Sequence, residues 1–472
     1  MASAPIGLRS RQATRTAPPG IPSFRAATAV WTRHGDLLRN AASLLATTGV
    51  TSVLGFTFWA FAAREFSQQA VGYGSAAVSA MTLLGTVGVF GLGTVLIGEL
   101  PRRSPRAGLV SAALLACGVG SLLLGLAFAA GAPLASERFE DLVGQPAEAV
   151  MFAVGVALTA VTSVFDQATI GLLRGGVQLA RNLVFAITKM AVLPATAIVL
   201  HDQFGAGITV SWIAGIAVSM AGSAIWLRIR GCPVLPRPDW GVLRALGKST
   251  LAHNWLNLAI AVPVTLFPVL VTVVVSPAAN AAFYVTWMIM SFLGAVPVHL
   301  STVLFAIASA EPQVISRKLR FALKVSLWVG IPGVLVLCVG GHFLLSLFGS
   351  GYSSEATFPL RLLALCYLPG LPKIFYVAVC RAKGKVSRAA VVLTSFAVVE
   401  MVAVVVSGVL GGLRGVVIAI LVVTVVEGLA TTPAIVRAAW SYGRHRRVGA
   451  HRRTNAADLP YRPDRTLPLY TG

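Results

Sequence analysis

The stretch AAVVLTSFAVVEMVAVVVSGVL, Ala389–Leu410, decides the fold. Glu400 is its only ionisable residue. As a helix rising about 1.5 Å per residue it spans a hydrocarbon core of roughly 30 Å. Only a helix or a closed barrel satisfies its own backbone in lipid. Arg381, Lys383, Lys385 and Arg388 stand directly before it, as expected for a loop retained on the cytoplasmic side.

Working outward, similar runs recur on both sides. Those before it are Ala41–Ala62, Val71–Leu100, Gly108–Ala132, Ala149–Leu173, Leu183–His201, Thr209–Leu227, Leu251–Val275, Ala281–Ala310, Phe321–Phe348 and Pro359–Cys380. Val416–Trp440 follows it. The expected fold is therefore an all-α polytopic membrane protein with about twelve transmembrane helices. Composition agrees: of 472 residues, 56% are hydrophobic and only 11% charged, with a mean hydropathy of +0.80. A soluble domain carries about 25% charged residues to cover its wet surface.

The longest basic connection divides the chain into two six-helix bundles, at residues 39–227 and 251–440, joined by a cytoplasmic linker at 228–250. Residues 1–38, with Pro18, Pro19, Pro22 and scattered arginines, read as a disordered cytoplasmic leader, and 441–472 as a basic cytoplasmic tail. Ala60-Phe61-Ala62 has the form of a signal-peptidase site. The apolar run before it is too long for a signal-peptide core, so cleavage is not expected. Phe66–Tyr73 after the first span and Val275–Tyr284 after the seventh are similar short turns, as an internally repeated transporter would have.

The net charge of +22 does not imply nucleic-acid binding, because the basic residues alternate from loop to loop. Loops after even-numbered spans carry Arg102, Arg103 and Arg106, Arg174 and Arg181, Arg228 to Lys248, Arg317 to Arg320, and Arg381 to Arg388. Loops after odd-numbered spans carry only Arg64, Arg138 and Arg414, beside acids such as Glu137, Glu140 and Asp141. Both termini are thus expected in the cytoplasm. Cys117, Cys232, Cys338, Cys366 and Cys380 lack metal-ligand spacing and read as packing residues.

Ionisable residues inside the spans each cost at least about 2.5–3.5 kcal/mol to insert and so require a reason. Asp166 lies eight positions from Arg174, and Lys189 eight from Arg181, on consecutive antiparallel spans. Equal depth, roughly 12 Å, predicts a buried Asp166–Lys189 pair, either structural or lining a polar cavity. In the second half Lys373, Glu400 and Glu427 fall at roughly 12–18 Å and are expected in one layer. Lys373 follows Pro369-Gly-Leu-Pro372, which predicts a broken helix. Arg361 and Lys324 lie nearer span ends, where they can snorkel. His253 and Asn257, four apart, share a helical face that offers either hydrogen bonds to sugar hydroxyls or contacts to neighbouring helices.

No enzyme is expected. Gly247-Lys248-Ser249 echoes the end of a P-loop, but Val242 stands where its first glycine belongs. No cofactor or metal is expected either. The Gly-x-x-x-Asp-Arg signature of major-facilitator transporters is absent after span two, where Glu99–Arg106 stands.

Motifs in order along the chain supply a resemblance. They are Gly55–Phe61 with Gly72-x-Gly74, then Gly91-Leu-Gly93, then Asp166–Arg174 followed by Arg181, Asn182 and Lys189. Pro268–Val271, Phe348–Tyr352 and Cys380–Gly384 complete them. Together they resemble the polysaccharide flippase branch of the multidrug/oligosaccharidyl-lipid/polysaccharide (MOP) exporter superfamily. The resemblance implies two bundles that alternate around a central cavity, in the cytoplasmic membrane. It implies a substrate too, an oligosaccharide linked through pyrophosphate to a polyprenol. Lys189 and Lys373 would then help neutralise the pyrophosphate, with Asp166, Glu400, Glu427, Arg361, His253 and Asn257 as further substrate contacts. Expected partners are membrane lipids and the glycosyltransferases or polymerase of a polysaccharide pathway. Drug-exporting relatives usually carry a carboxylate in the first span, and this first span has none. An ion-coupled drug or solute antiporter and a non-transporting scaffold of a polysaccharide assembly complex stand as the alternatives.

Overall fold

The computed structural model describes residue 49 and residues 51–100, 107–172, 175–200, 205–230, 236–310 and 312–440. The predicted leader, the tail, the start of the first span and Cys232 lie outside these. The described chain is all-α. Helix α1 covers 51–65, with Ala60–Ala62 inside it. There follow α2 (Gln68–Gly88), α3 (Leu92–Glu99), α4 (Ala107–Ala135), α5 (Glu140–Val143), α6 (Pro146–Gly171), α7 (Gly175–Val199) and α8 (Ala206–Ile229). The second half holds α9 (Trp240–Val274), α10 (Pro277–Ala310), α11 (Ile315–Ser346), α12 (Ser350–Leu365), α13 (Tyr367–Ala382) and α14 (Val386–Trp440).

Among the described residues nine helices are long and apolar enough to cross a membrane, or ten with the bent pair α12–α13 taken as one span. One of the nine, α14, doubles back at Gly412 (φ 57°, ψ −149°). A Cβ on Gly415 would lie 2.1 Å from the Ser407 carbonyl, so the two arms touch. The hairpin makes two crossings of one helix and so brings the described total to eleven. Helix α1 lies in the predicted twelfth.

Three boundaries differ from the sequence reading. The second predicted span is two helices, α2 and α3, separated by Phe90 (φ 46°) and Gly91 (φ 72°). Two successive left-handed residues cannot continue a right-handed helix. The linker is shorter than 228–250, because α8 runs to Ile229 and α9 begins at Trp240. The tenth span bends by 48° between Leu365 and Tyr367, ahead of the prolines. Pro369 falls in the first turn of α13, where a helix lacks internal partners for its N–H groups anyway, and Pro372 lies inside the helix. The bond that Pro369 cannot make is to Leu365, and the helix parts there.

Apolar packing knits most of the molecule together. Two clusters belong mainly to the first half, around Met81 and Phe152 and around Leu96 and Val164. A third, around Phe267 and Val416, belongs to the second half. The largest joins both: Phe58, Trp59 and Phe66 of the first half pack with Leu256, Ala281 and Phe348 of the second.

The similar turns of the two halves have the same physical basis. Ser67 caps α2 by accepting from the Ala70 N–H at 3.2 Å, and Ser276 accepts from the Ala279 N–H at 3.0 Å. The helices that leave these turns meet. Gly72 approaches so closely that a Cβ there would lie 1.7 Å from the Pro277 carbonyl oxygen. Asn280 Nδ2 donates to the Gly72 carbonyl at 2.9 Å and to Ser75 Oγ at 3.0 Å, while its Oδ1 is buried without a partner among the described residues.

At the same end of the molecule three more polar links join the halves. Arg138 donates to the Thr272 and Val273 carbonyls at 2.7 and 2.9 Å, at the C-terminus of α9. Arg64 donates to the Leu347 carbonyl at 3.0 Å and Gln68 to Glu355 at 2.7 Å. A guanidinium at a helix C-terminus meets both bare carbonyls and the negative end of the dipole.

Candidate functional site

The second half encloses a cavity of about 520 Å³ walled by α9, α10, α12, α13 and α14. Phe267, Trp287, Met290 and Leu363 make its deeper wall apolar. Its polar residues include Asn257, Lys373, Arg381, Glu400 and Glu427. The structure therefore brings together the three charges expected in one layer. Lys373 Nζ donates to both oxygens of Glu427, at 2.7 and 3.0 Å. Glu427 is almost wholly buried, and the Lys373 side chain is 27% exposed. Glu400, on the other arm of α14, faces the same cavity and makes no hydrogen bond among the described residues. Lys373 lies one residue beyond Pro372, so the α12–α13 bend aims this stretch of α13 at the α14 hairpin.

Asn257 lines the cavity and accepts from Arg381 at 2.7 Å, which anchors α9 to the end of α13. His253 lies in α9 at a position whose side chain is outside the described set. Arg361 is exposed, donates to the Cys338 carbonyl at 2.8 Å, and is not among the cavity walls. Lys324 is exposed on α11.

The predicted Asp166–Lys189 pair is not formed. Asp166 is held instead by a bidentate bridge to Arg181, with Nε and Nη2 at 2.8 and 2.7 Å from its two oxygens. The reason is helical register. Arg181 is not a loop residue: it lies six positions into α7 (181 − 175), and Asp166 five before the end of α6 (171 − 166). Across a short turn these depths match. Lys189, fourteen positions into α7 (189 − 175), is roughly 12 Å farther along. Arg181 Nη1 also reaches Ser219 Oγ at 3.5 Å, so one guanidinium ties α6, α7 and α8. The near-symmetry of 166 and 181 about the 172–175 turn was the signal for this pair.

Lys189 occupies an aromatic cage in the first half. Its ammonium lies 4.0 Å from the Trp212 ring centre, 4.5 Å from Phe58 and 4.6 Å from Phe185. It is only 3% exposed and forms no ion pair among the described residues. A desolvated cation–π contact is worth up to about 2 kcal/mol, so three rings offset part of the cost of burying the charge. Phe185 precedes Lys189 by one helical turn, while Trp212 and Phe58 come from α8 and α1. The rings continue across the molecule: Trp59 stands 6.4 Å from Trp212 and 4.6 Å from Tyr284 of the second half. Trp212 and Phe58 were not legible as site residues, because nothing in their own segments marks them.

The four cysteines that are described are free, and no group of His, Cys, Asp or Glu among the described residues could hold a metal.

Solved structures share this arrangement of long apolar helices, a bent tenth span and a polar-walled cavity. The chain superimposes on an inward-facing multidrug resistance MATE family transporter of the MOP superfamily with a TM-score of 0.63, at 14% identity over 86% of this chain and 96% of that one. On an outward-facing structure of a MATE family transporter the TM-score is 0.54, at 13% identity over 85% and 96%. A MOP superfamily transporter from Pyrococcus furiosus, described as having a binding pocket of reversed polarity, matches with a TM-score of 0.56 at 13% identity, again over 85% and 96%. No protein-family model and no curated protein sequence matches the chain. The chain thus has the fold of these MATE family structures.

Proposed function

We propose that this protein is a transporter, not an enzyme, and that it flips a polyprenyl-pyrophosphate-linked oligosaccharide across the cytoplasmic membrane for surface polysaccharide synthesis. The observation that carries this is the charge at the heart of the first half. It is an ammonium, Lys189, buried among rings and without a carboxylate. A site for an organic cation would place a carboxylate there; a buried cation suits a phosphate-bearing substrate. The cavity in the second half adds an apolar wall with Lys373, Arg381 and Asn257 along its polar side, where sugar hydroxyls find donors and acceptors. In this reading the arginine-rich loops and both termini are cytoplasmic. The end sealed by Arg138, Asn280 and Arg64 is then the outer one, and the cavity is reached from within. Glycosyltransferases or a polymerase of the same pathway would be its working partners.

The test is deletion of the chain followed by complementation. Loss should stop surface polymer and leave lipid-linked intermediates on the cytoplasmic leaflet. Lys189→Ala, inserted and folded, should fail to restore export. Normal surface polysaccharide in a deletion strain that has become sensitive to cationic drugs would overturn the reading. That result would favour the second one, an ion-coupled antiporter, which Glu400 supports as a cavity carboxylate without a hydrogen bond among the described residues.

A further inference from the structure

A second concavity lies on the outside of the first half, separate from the cavity of the second half. Helices α4 and α8 both pack on α6 but scarcely on each other. The gap between them is a groove of about 440 Å³, floored by Val161 and Phe165 of α6. Leu115 and Val119 form one wall and Met220 and Ala224 the other, and almost every atom lining it is apolar. Val119 is 58% exposed, so the groove opens to the lipid.

Its length and its mouth select an occupant. Met220 to Leu227 covers roughly 10 Å along α8, which lies within the roughly 15 Å depth of one leaflet. Leu227 is followed at once by Arg228, which is exposed and in no ion pair among the described residues. Arg230 stacks on Trp226, its guanidinium carbon 4.7 Å from the ring centre. Arg237 is exposed where the chain crosses the start of α4, beside Asp239, whose N–H donates to the Gly108 carbonyl. Among the described residues the mouth therefore carries Arg228, Arg230 and Arg237 beside Asp239.

We infer that this groove seats one acyl chain of an anionic phospholipid from the adjacent leaflet, with its phosphate held by Arg228 and Arg230. The chain completes the packing of α8 against α4 that the protein alone leaves open. A polyprenol, longer than a leaflet is deep, would overrun the groove. The inference is independent of what the transporter carries.

The full chain in mild detergent, incubated with phosphatidylglycerol or phosphatidylcholine and weighed by native mass spectrometry, tests it. Phosphatidylglycerol should be retained in preference by roughly thirtyfold, the effect of two arginines at a membrane surface. Ala221→Trp, on the α8 wall, and Val119→Trp, on the α4 wall, each fill the groove and should abolish that retention. Arg228→Gln with Arg230→Gln should bring the two lipids level. Retention unchanged in both tryptophan variants would overturn the inference. So would preferential capture of undecaprenyl phosphate over phosphatidylglycerol in the same assay.

Discussion

Burying a charge in this protein is solved in three ways, each with its own test. Asp166 and Arg181 are a conventional bidentate pair. Removing either partner should lower thermal stability by the equivalent of about 3–5 kcal/mol, while removing both should recover part of it. Singles and double that simply add would refute the coupling. Lys373 and Glu427 are paired but reach the cavity. Lys373→Ala should abolish export with the protein still inserted, and Lys373→Arg should retain a fraction, since a cation remains although its geometry differs. Lys189 relies on rings alone, so Trp212→Leu should lower thermal stability more than Lys189→Met does, because it strands an ammonium rather than removing one. Comparing melting temperatures of the two variants decides this. Sequence spacing found the second-half charge layer because helix depth can be counted from basic flanks. The same count failed for the Asp166–Lys189 pair because Arg181, taken as the flank of Lys189, is itself buried in α7.

Helices were legible as long apolar runs, but their interruptions were less so. Pro369 and Pro372 announced a break, and it fell a few residues earlier because a proline's missing bond is felt at the carbonyl four positions before it. The Phe90–Gly91 break was invisible, since nothing in the local preference of a phenylalanine announces the left-handed region. Gly72 is the element-scale position with the sharpest consequence. It permits α2 to touch the start of α10, where a Cβ would lie 1.7 Å from a backbone oxygen. Gly72→Leu should therefore hold the two helices apart and keep this end from sealing. Cysteine accessibility at Gln68 should rise several-fold in that variant; unchanged protection would show that the contact is not what closes the end.

For the molecule as a whole, orientation is the property the sequence addresses most directly, through the arginines of alternate loops. Cysteines placed at Glu137 and Arg237 should label from opposite sides, the first from outside and the second only after permeabilisation. The reverse pattern would invert the proposed topology. The seam between the halves belongs to this scale as well, because its residues come from segments two hundred positions apart and no local pattern joins them. It is not fastened as tightly as its chemistry permits. Asn280 holds Gly72 and Ser75 with its amide nitrogen and leaves Oδ1 buried without a donor among the described residues, a deficit of about 1–3 kcal/mol. In kinetic language that deficit shortens the dwell time of the sealed state. Supplying the missing donor would deepen the well and lengthen each wait before reopening. A protein with the proposed function must leave every state it visits, so a clasp left slightly slack would set an upper bound on how long one turnover stalls.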